Sequence, residues 1–371
     1  MSINPYLSMV YKVDWLALTI SDTLDQNSDD FELLLLENLG YDLADFENIP
    51  GRYFYNSGLT LGGYVNIYYN DKSKDVHRNS SMSRNYVFTG QGCTDLGQKI
   101  NNDWTGLFEV LTKLGVKVTR IDLALDDYHA VVDFDRIEKK LKRGEYRSSK
   151  KSYNVIKEAD VNGDVKGHTI YIGSRSRSAN GCYFLRCYDK YAQYKSKAQL
   201  PPEEALNTGK WQRYEISYTK KKAQKVVSKV VEDGQTISSV FQETARDIVE
   251  FLVKNKNQKN KSRWKVCKWW NDFLDGAEKA RLGDPEKDVD LGRMLRWLRI
   301  SVLPALHLMD EIFSEQGIDF FEVLKDTEIA DYSKKQKRLM NNSKRLTKAE
   351  LVPYLEEFKE GKENVTAVTH C

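Results

Sequence analysis

The segment HTIYIGSRSRSANGCYFLRCYDK (168–190) joins two strand-like pieces through a polar turn rich in Gly, Ser and Arg. Strand alternation sets Thr169 and Tyr171 on one face, opposite Ile170 and Ile172. After the turn, Arg186 and Tyr188 share one face, and Tyr183, Leu185 and Cys187 share the other. Gly173 lets backbone come close to a phosphate, and Arg175 follows in the same turn. A tyrosine held among arginines points to phosphoryl transfer with a protein nucleophile. A phenol, with a pKa of ~10, is far easier to activate than a sugar hydroxyl. Its phosphate ester keeps the energy of the broken bond, so the strand can be resealed. Tyr171 is the first choice for that role, Tyr188 the second, and Tyr183 is expected to pack. The plain alternative is a hairpin that merely carries tyrosines.

Two further strands supply charge. KVTRIDLALDD (117–127) alternates cleanly, with Arg120, Asp122 and Asp126 opposite Ile121, Leu123 and Leu125. In WQRYEISYT (211–219), Arg213 and Glu215 lie opposite Tyr214, Ile216 and Tyr218. Taken strand by strand, such charges read as ordinary cross-strand pairs. Gathered on one sheet face, the carboxylates repel unless a cation sits among them, and oxygen ligands suit Mg²⁺ or Mn²⁺. The expectation is that Asp122, Asp126 and Glu215 hold the metal while Arg175, Arg186 and Arg213 take up phosphate charge. An acid that orients an arginine, or acts as a base, is the alternative role. The five histidines are scattered, without His-x-His or His-Glu-x-x-His spacing, and no glycine run carries the Lys-Ser/Thr of a phosphate loop.

These strands need a scaffold. The 371 residues, 40% hydrophobic and 30% charged, suffice for two domains. Strand-like and helical stretches alternate to about residue 220, and helical spacing dominates afterwards. The expected fold is α+β, a large mixed or antiparallel curved sheet with helices on one face, followed by a helical C-terminal region. The expected divisions are 1–230 for catalysis, 231–330 for helical DNA binding or dimerisation, and a basic tail at 331–371. No apolar run spans a membrane, no secretory leader is recognisable, and five cysteines without zinc spacing fit a reducing cytoplasm. The first 50 residues carry ten acidic residues against Lys12 alone, so the rest holds a net charge of about +12. Basic runs include Lys261, Arg263 and Lys265, interleaved with Trp264, Trp269 and Trp270, and Lys334, Lys335, Lys337 and Arg338. Together they favour a polyanion partner over plain solvated faces.

VDWLALTI, TGQGC, TRIDLALDD, TIYIGSRSRS, LRCYDK and WQRYEIS occur in an order that resembles the replication initiation factor family. These are initiators of rolling-circle plasmids, with relatives in filamentous phages and conjugative elements. The resemblance spans roughly 10–310. It implies sequence-specific, metal-dependent nicking and joining of double-stranded origin DNA, with a hairpin or inverted repeat, through a 5′-phosphotyrosine on Tyr171. It also implies paired acids at Asp122 and Asp126, an Arg-x-Glu pair at Arg213 and Glu215, and a Tyr-Asp-Lys element at Tyr188, Asp189 and Lys190, with Lys190 on DNA. A homodimer and a host helicase are the implied partners. The turn after Tyr171 is longer than the compact family hairpin, which leaves the register of Arg186 and Tyr188 open. A conjugative relaxase, or a non-catalytic origin- or promoter-binding protein, is the alternative reading.

Overall fold

The computed structural model describes residues 9–20, 39–71, 83–162, 165–174, 180–196, 201–277, 281–282, 298–327 and 347–360, with positions 36, 73–74, 295 and 340. The expected helix at 29–40 therefore lies almost wholly outside the described residues. Two compact units divide the chain, Met1–Pro285 and Glu286–Cys371.

Alternating apolar and polar residues make the strands of the first unit. In chain order they are β1 (Val10–Ile20), β2 (Glu47–Pro50), β3 (Ser57–Leu61), β4 (Val65–Tyr69), β5 (Arg84–Phe88), β6 (Lys117–Asp127) and β7 (Tyr146–Arg147). They continue with β8 (Tyr153–Ala159), β9 (Val165–Ile172), β10 (Tyr183–Asp189), β11 (Gln212–Thr219), β12 (Glu250–Phe251) and β13 (Arg281–Leu282). Among the described residues eleven of them form one sheet, ordered β2, β3, β4, β5, β1, β6, β11, β10, β9, β8, with β13 parallel beside β1. Every other pairing in it is antiparallel. The short β7 and β12 pair separately.

One face carries the main core. Leu16, Leu18, Ile121, Leu123, Leu125, Ile170, Ile172, Leu185, Tyr214 and Ile216 pack there against helical Leu96, Phe108, Ile137, Val226, Phe241 and Phe273. The last two belong to helices Ile237–Ile248 and Lys268–Ala277, so the first unit runs well past the expected boundary at residue 230. Of the tryptophans of the basic run, Trp270 belongs to this packing and the partly buried Trp269 packs against it. Trp264 and Trp270 are buried, their indole N–H groups donating to the carbonyls of Gln258 and Val249.

The second face is open and polar, and a β-bulge in β1 shapes it. Val13 pairs with Leu123 and Trp15 with Asp122, leaving Asp14 as an extra residue without a partner across the ladder. Before the bulge the odd residues Met9, Tyr11 and Val13 are buried in the core; after it the even residues Leu16, Leu18 and Ile20 are.

Elsewhere local chemistry overrode the sequence pattern. NYVFTGQGC (85–93), which its sequence presents as one strand ending in glycines, stops pairing at Phe88, and GQGC opens the helix Gly90–Lys99. A Cβ on Gly92 would stand 2.4 Å from the Tyr64 carbonyl oxygen, so glycine is required by close approach of the β3–β4 hairpin. The expected helix 238–255 ends at Ile248, where Glu250 and Phe251 pair with β7. In the second unit, considered alone, the helical run divides beside Pro304 as its missing N–H requires, a π-helical turn Leu298–Val302 giving way to the helix Leu303–Ser314. Phe313 and Phe320 stack at 5.5 Å where this helix turns into Phe320–Asp326. Among the described residues no helix is long and apolar enough to cross a membrane.

Candidate active site on the open face of the sheet

Sheet register collects the polar residues in rows. One row runs Tyr171, Arg186, Glu215, Ala124, Lys12 across β9, β10, β11, β6 and β1. The next runs Thr169, Tyr188, Arg213, Asp126. A third pairs Ser217 with Asp122 and Asp122 with Trp15. The expected convergence of Tyr171, Arg186, Tyr188, Arg213, Asp122, Asp126 and Glu215 on one face is what the register shows, and it settles the pairing of the long hairpin. Tyr183 instead lies over the core face, stacked on Tyr218 and donating to Asp247.

At the centre Arg213, 3% exposed, forms two parallel hydrogen bonds to Asp126 at 2.6 and 2.7 Å. Its third donor reaches Asp14, re-aimed by the bulge. Lys12 stands 3.0 Å from the same Asp126 carboxylate. Burial pushes that carboxyl up, but Arg213 and then Lys12 outweigh it and hold it well below the ordinary carboxylate range. Asp126 thus has both oxygens committed to cations of its own chain.

Asp122 is paired with Arg120 and accepts from Ser217 at 2.6 Å. Glu215 accepts from Arg186 at 2.6 Å and from the Tyr188 hydroxyl at 3.3 Å. Its carboxyl is nonetheless raised above the usual range, by burial first and then by the facing charge of Asp14, with Asp122 adding to it. Tyr188 is buried, its ring under the Arg186 guanidinium at 4.5 Å, and burial pushes its phenol well up. Lys190, which lies 3.5 Å from the Tyr188 hydroxyl, is lowered to about 8 by burial and then by Arg213. Tyr171 is half-buried beside Arg186, whose side chain reaches its phenol. Of the two tyrosines beside Arg186, Tyr188 is buried and Tyr171 only half-buried, so Tyr171 is the more open to an incoming phosphate.

Not every expected residue comes here. Arg175, Lys334, Lys335, Lys337 and Arg338 lie outside the described residues. Lys261, Arg263 and Lys265 are exposed on the segment after β12, where Lys261 donates to the Gly144 carbonyl. Asp14 and Ser217 were not anticipated. Asp14 breaks an otherwise apolar strand, VDWLALTI, which is the signal that could have found it.

The three acids expected to share a metal do not bring ligand atoms together as folded. Among the described residues the group that does is Asp135, Glu138 and His168, on the opposite, helix-covered face of β9. There Lys157 already supplies a cation, 2.7 Å from Asp135 and 2.8 Å from Glu138.

A solved structure titled as a rolling circle replication initiator protein from Geobacillus stearothermophilus overlays with a TM-score of 0.60 at 24% identity, over 74% of this chain and 99% of that one. The family model for the replication initiation factor matches residues 116–324, and the chain belongs to that family. A Bacillus subtilis (strain 168) protein named DNA relaxase NicK is 26% identical over 281 residues, 74% of this chain and 77% of the relative.

Proposed function

We propose that this protein initiates rolling-circle replication by nicking and rejoining one strand of origin DNA through Tyr171. The observation that carries the reading is the row Tyr171–Arg186–Glu215 beside the buried Arg213–Asp126 pair, which sets a half-exposed phenol among oriented cations. The phenol gives up its proton, the phenolate oxygen bonds to phosphorus, and the bond to the 3′ oxygen breaks. That oxygen takes a proton and leaves as a 3′-hydroxyl, with the 5′-phosphate on Tyr171. The reverse sequence reseals the strand. Arg186, with Arg175 from the following turn, takes up charge on the non-bridging oxygens. Glu215, raised by burial and by Asp14, is suited to accept and return a proton, with Tyr188 and Arg186 on its oxygens.

The donor set fits a hard cation, since Asp14, Asp122 and Glu215 are oxygen ligands whose charges face one another. These three would hold Mg²⁺ or Mn²⁺ in place of Arg213, Arg120 and Arg186, which hold Asp14, Asp122 and Glu215 as folded, while Asp126 serves to position Arg213. When bound, the cation supplies charge neutralisation at the scissile phosphate. A second copy of the chain and a host helicase are the partners this reading entails, with Lys190 and the basic runs on DNA. The similarity to a DNA relaxase supports a second substrate, the transfer origin of a conjugative element, cut by the same chemistry.

Incubation of the protein and of its Tyr171→Phe variant with supercoiled origin plasmid and Mn²⁺ tests the reading. Wild type should give open circles and a covalent adduct, and the variant should bind but give neither. Origin binding by wild type without nicking would leave a non-catalytic DNA-binding protein. An adduct mapped by mass spectrometry to Tyr188 would move the nucleophile.

A further inference from the structure

The half of the open face away from Tyr171 is aromatic. Register across β1, β5, β4, β3 and β2 brings Ala17, Val87, Tyr68 and Ile49 to the same side as Asp122. Ala17, Tyr68 and Val87 form an apolar cluster separate from the main core, with Trp15, Ile49 and Tyr55 packed on it. Gly58 leaves room for the Tyr68 ring, which a Cβ there would meet at 3.0 Å. Trp15 lies under the Arg120 guanidinium at 4.3 Å, and Arg120 in turn holds Asp122. The aromatic patch and the acidic cluster are therefore continuous.

At the outer end the loop 51–56 presents Tyr53 at 63% exposure and Phe54 at 90%. Tyr53 takes a left-handed backbone conformation, φ 63°, which a bulky side chain adopts only at a conformational cost. Its ring stands edge-on to Tyr68 at 5.8 Å, with the Arg52 guanidinium 5.4 Å from its centroid. The loop thus holds two rings in water at a conformational cost, beside a cation, on the side of the sheet where the scissile phosphate would lie.

We propose that Tyr53 and Phe54, with Tyr68 and Trp15 behind them, form a stacking platform for unpaired bases of the DNA strand that enters the site. The inference rests on the function proposed above. Rings alternating with Arg52 and Arg120 match a chain that alternates bases with phosphates, and they match an apolar protein face poorly. Aromatic faces stack on any base, and guanidinium groups reinforce such contacts. Tyr68 and Glu215 are four strand spacings apart across the sheet, about 20 Å, and by register about 23 Å apart along the strands, so one extended strand of several nucleotides reaches from the platform to the site.

The test uses the full-length Tyr53→Ala/Phe54→Ala protein, fluorescence anisotropy with a labelled oligothymidine and with a duplex of unrelated sequence, and the adduct assay on origin DNA. Loss of two stacked rings should weaken oligothymidine binding by about 30-fold or more while duplex binding stays within about twofold. Tyr53→Trp/Phe54→Trp, which keeps the rings, should restore it. Unchanged oligothymidine affinity overturns the proposal, as does an equal loss for both DNAs or a fall in molar mass with oligothymidine binding intact, which would mark an interface between copies. Selective loss in the Ala variant, together with no adduct from wild type, would support the platform and sink only the catalytic reading.

Discussion

Replacing Arg213 by Met should destabilise the protein by about 3 kcal/mol at neutral pH. The side chain is 3% exposed and makes both hydrogen bonds to Asp126, which is fully buried. Removing one partner of such a pair costs roughly 3–5 kcal/mol, because the other charge is left buried. The low end applies because Lys12, 3.0 Å from the same carboxylate, remains. The pH dependence has a definite sign. In the wild type Arg213 and Lys12 hold the Asp126 carboxyl below its unfolded value of ~3.9. The stability it contributes is fully present above that value and is lost as pH falls through the folded one. In Arg213→Met, burial raises the carboxyl instead, so the variant's deficit is greatest at neutral pH and shrinks on acidification. Urea unfolding at pH 7.5 and pH 5 reads this directly, since 3 kcal/mol moves the midpoint by roughly 1–2 M. The double variant Asp126→Asn/Arg213→Met should cost less than the sum of the single ones. A deficit under about 1 kcal/mol, or one that grows as pH falls, would refute the claim that this pair is the buried electrostatic centre of the site.

Tyr188→Phe removes a hydroxyl that Glu215 accepts from, so adduct formation should slow by about tenfold rather than vanish; gel assays of the covalent complex check this. Asp14→Asn and Asp122→Asn should each weaken Mn²⁺ binding measured by calorimetry, whereas Asp135→Asn, on the far side of β9, should leave it unchanged. Changing Lys334, Lys335, Lys337 and Arg338 together to Ala should flatten the salt dependence of DNA binding by about one unit per lost phosphate contact; an unchanged slope makes that run a solvated tail.

Strand parity carried most of the site. Period-two alternation alone puts Tyr171, Arg186, Tyr188, Arg213, Glu215, Asp122 and Asp126 on one face, and the register agrees residue by residue. What alternation does not contain is who pairs with whom. The commitment of Asp126 to Arg213 and Lys12, and of Glu215 to Arg186, depends on strands far apart in sequence. Asp14 was hidden because a bulge breaks the parity rule at that residue. Strand β8, largely exposed at the sheet edge, shows too little apolar alternation to be read from sequence. The Trp-rich basic run misled because one segment serves two purposes, its indoles packing inward while its lysines point out.

The extra residue in β1 works as a change of phase. Odd-numbered side chains feed the core up to Val13 and even-numbered ones from Leu16 onward, so the two halves of one strand are written in opposite frames. Lys12, on the site side in the first frame, and Trp15 and Ala17, on the site side in the second, share a surface because the bulge absorbs the one residue that would otherwise set them on opposite faces. Point substitutions at Asp14 would alter a contact. Removing one residue between Val13 and Leu16 would restore regular pleating, with Tyr11 still in the core and Lys12 still on the site side, and would erase the bulge that gives Arg213 its second carboxylate. The extra residue thus gives the site a carboxylate that regular pleating has no place for, at the seam between the acidic half of the open face and the aromatic half.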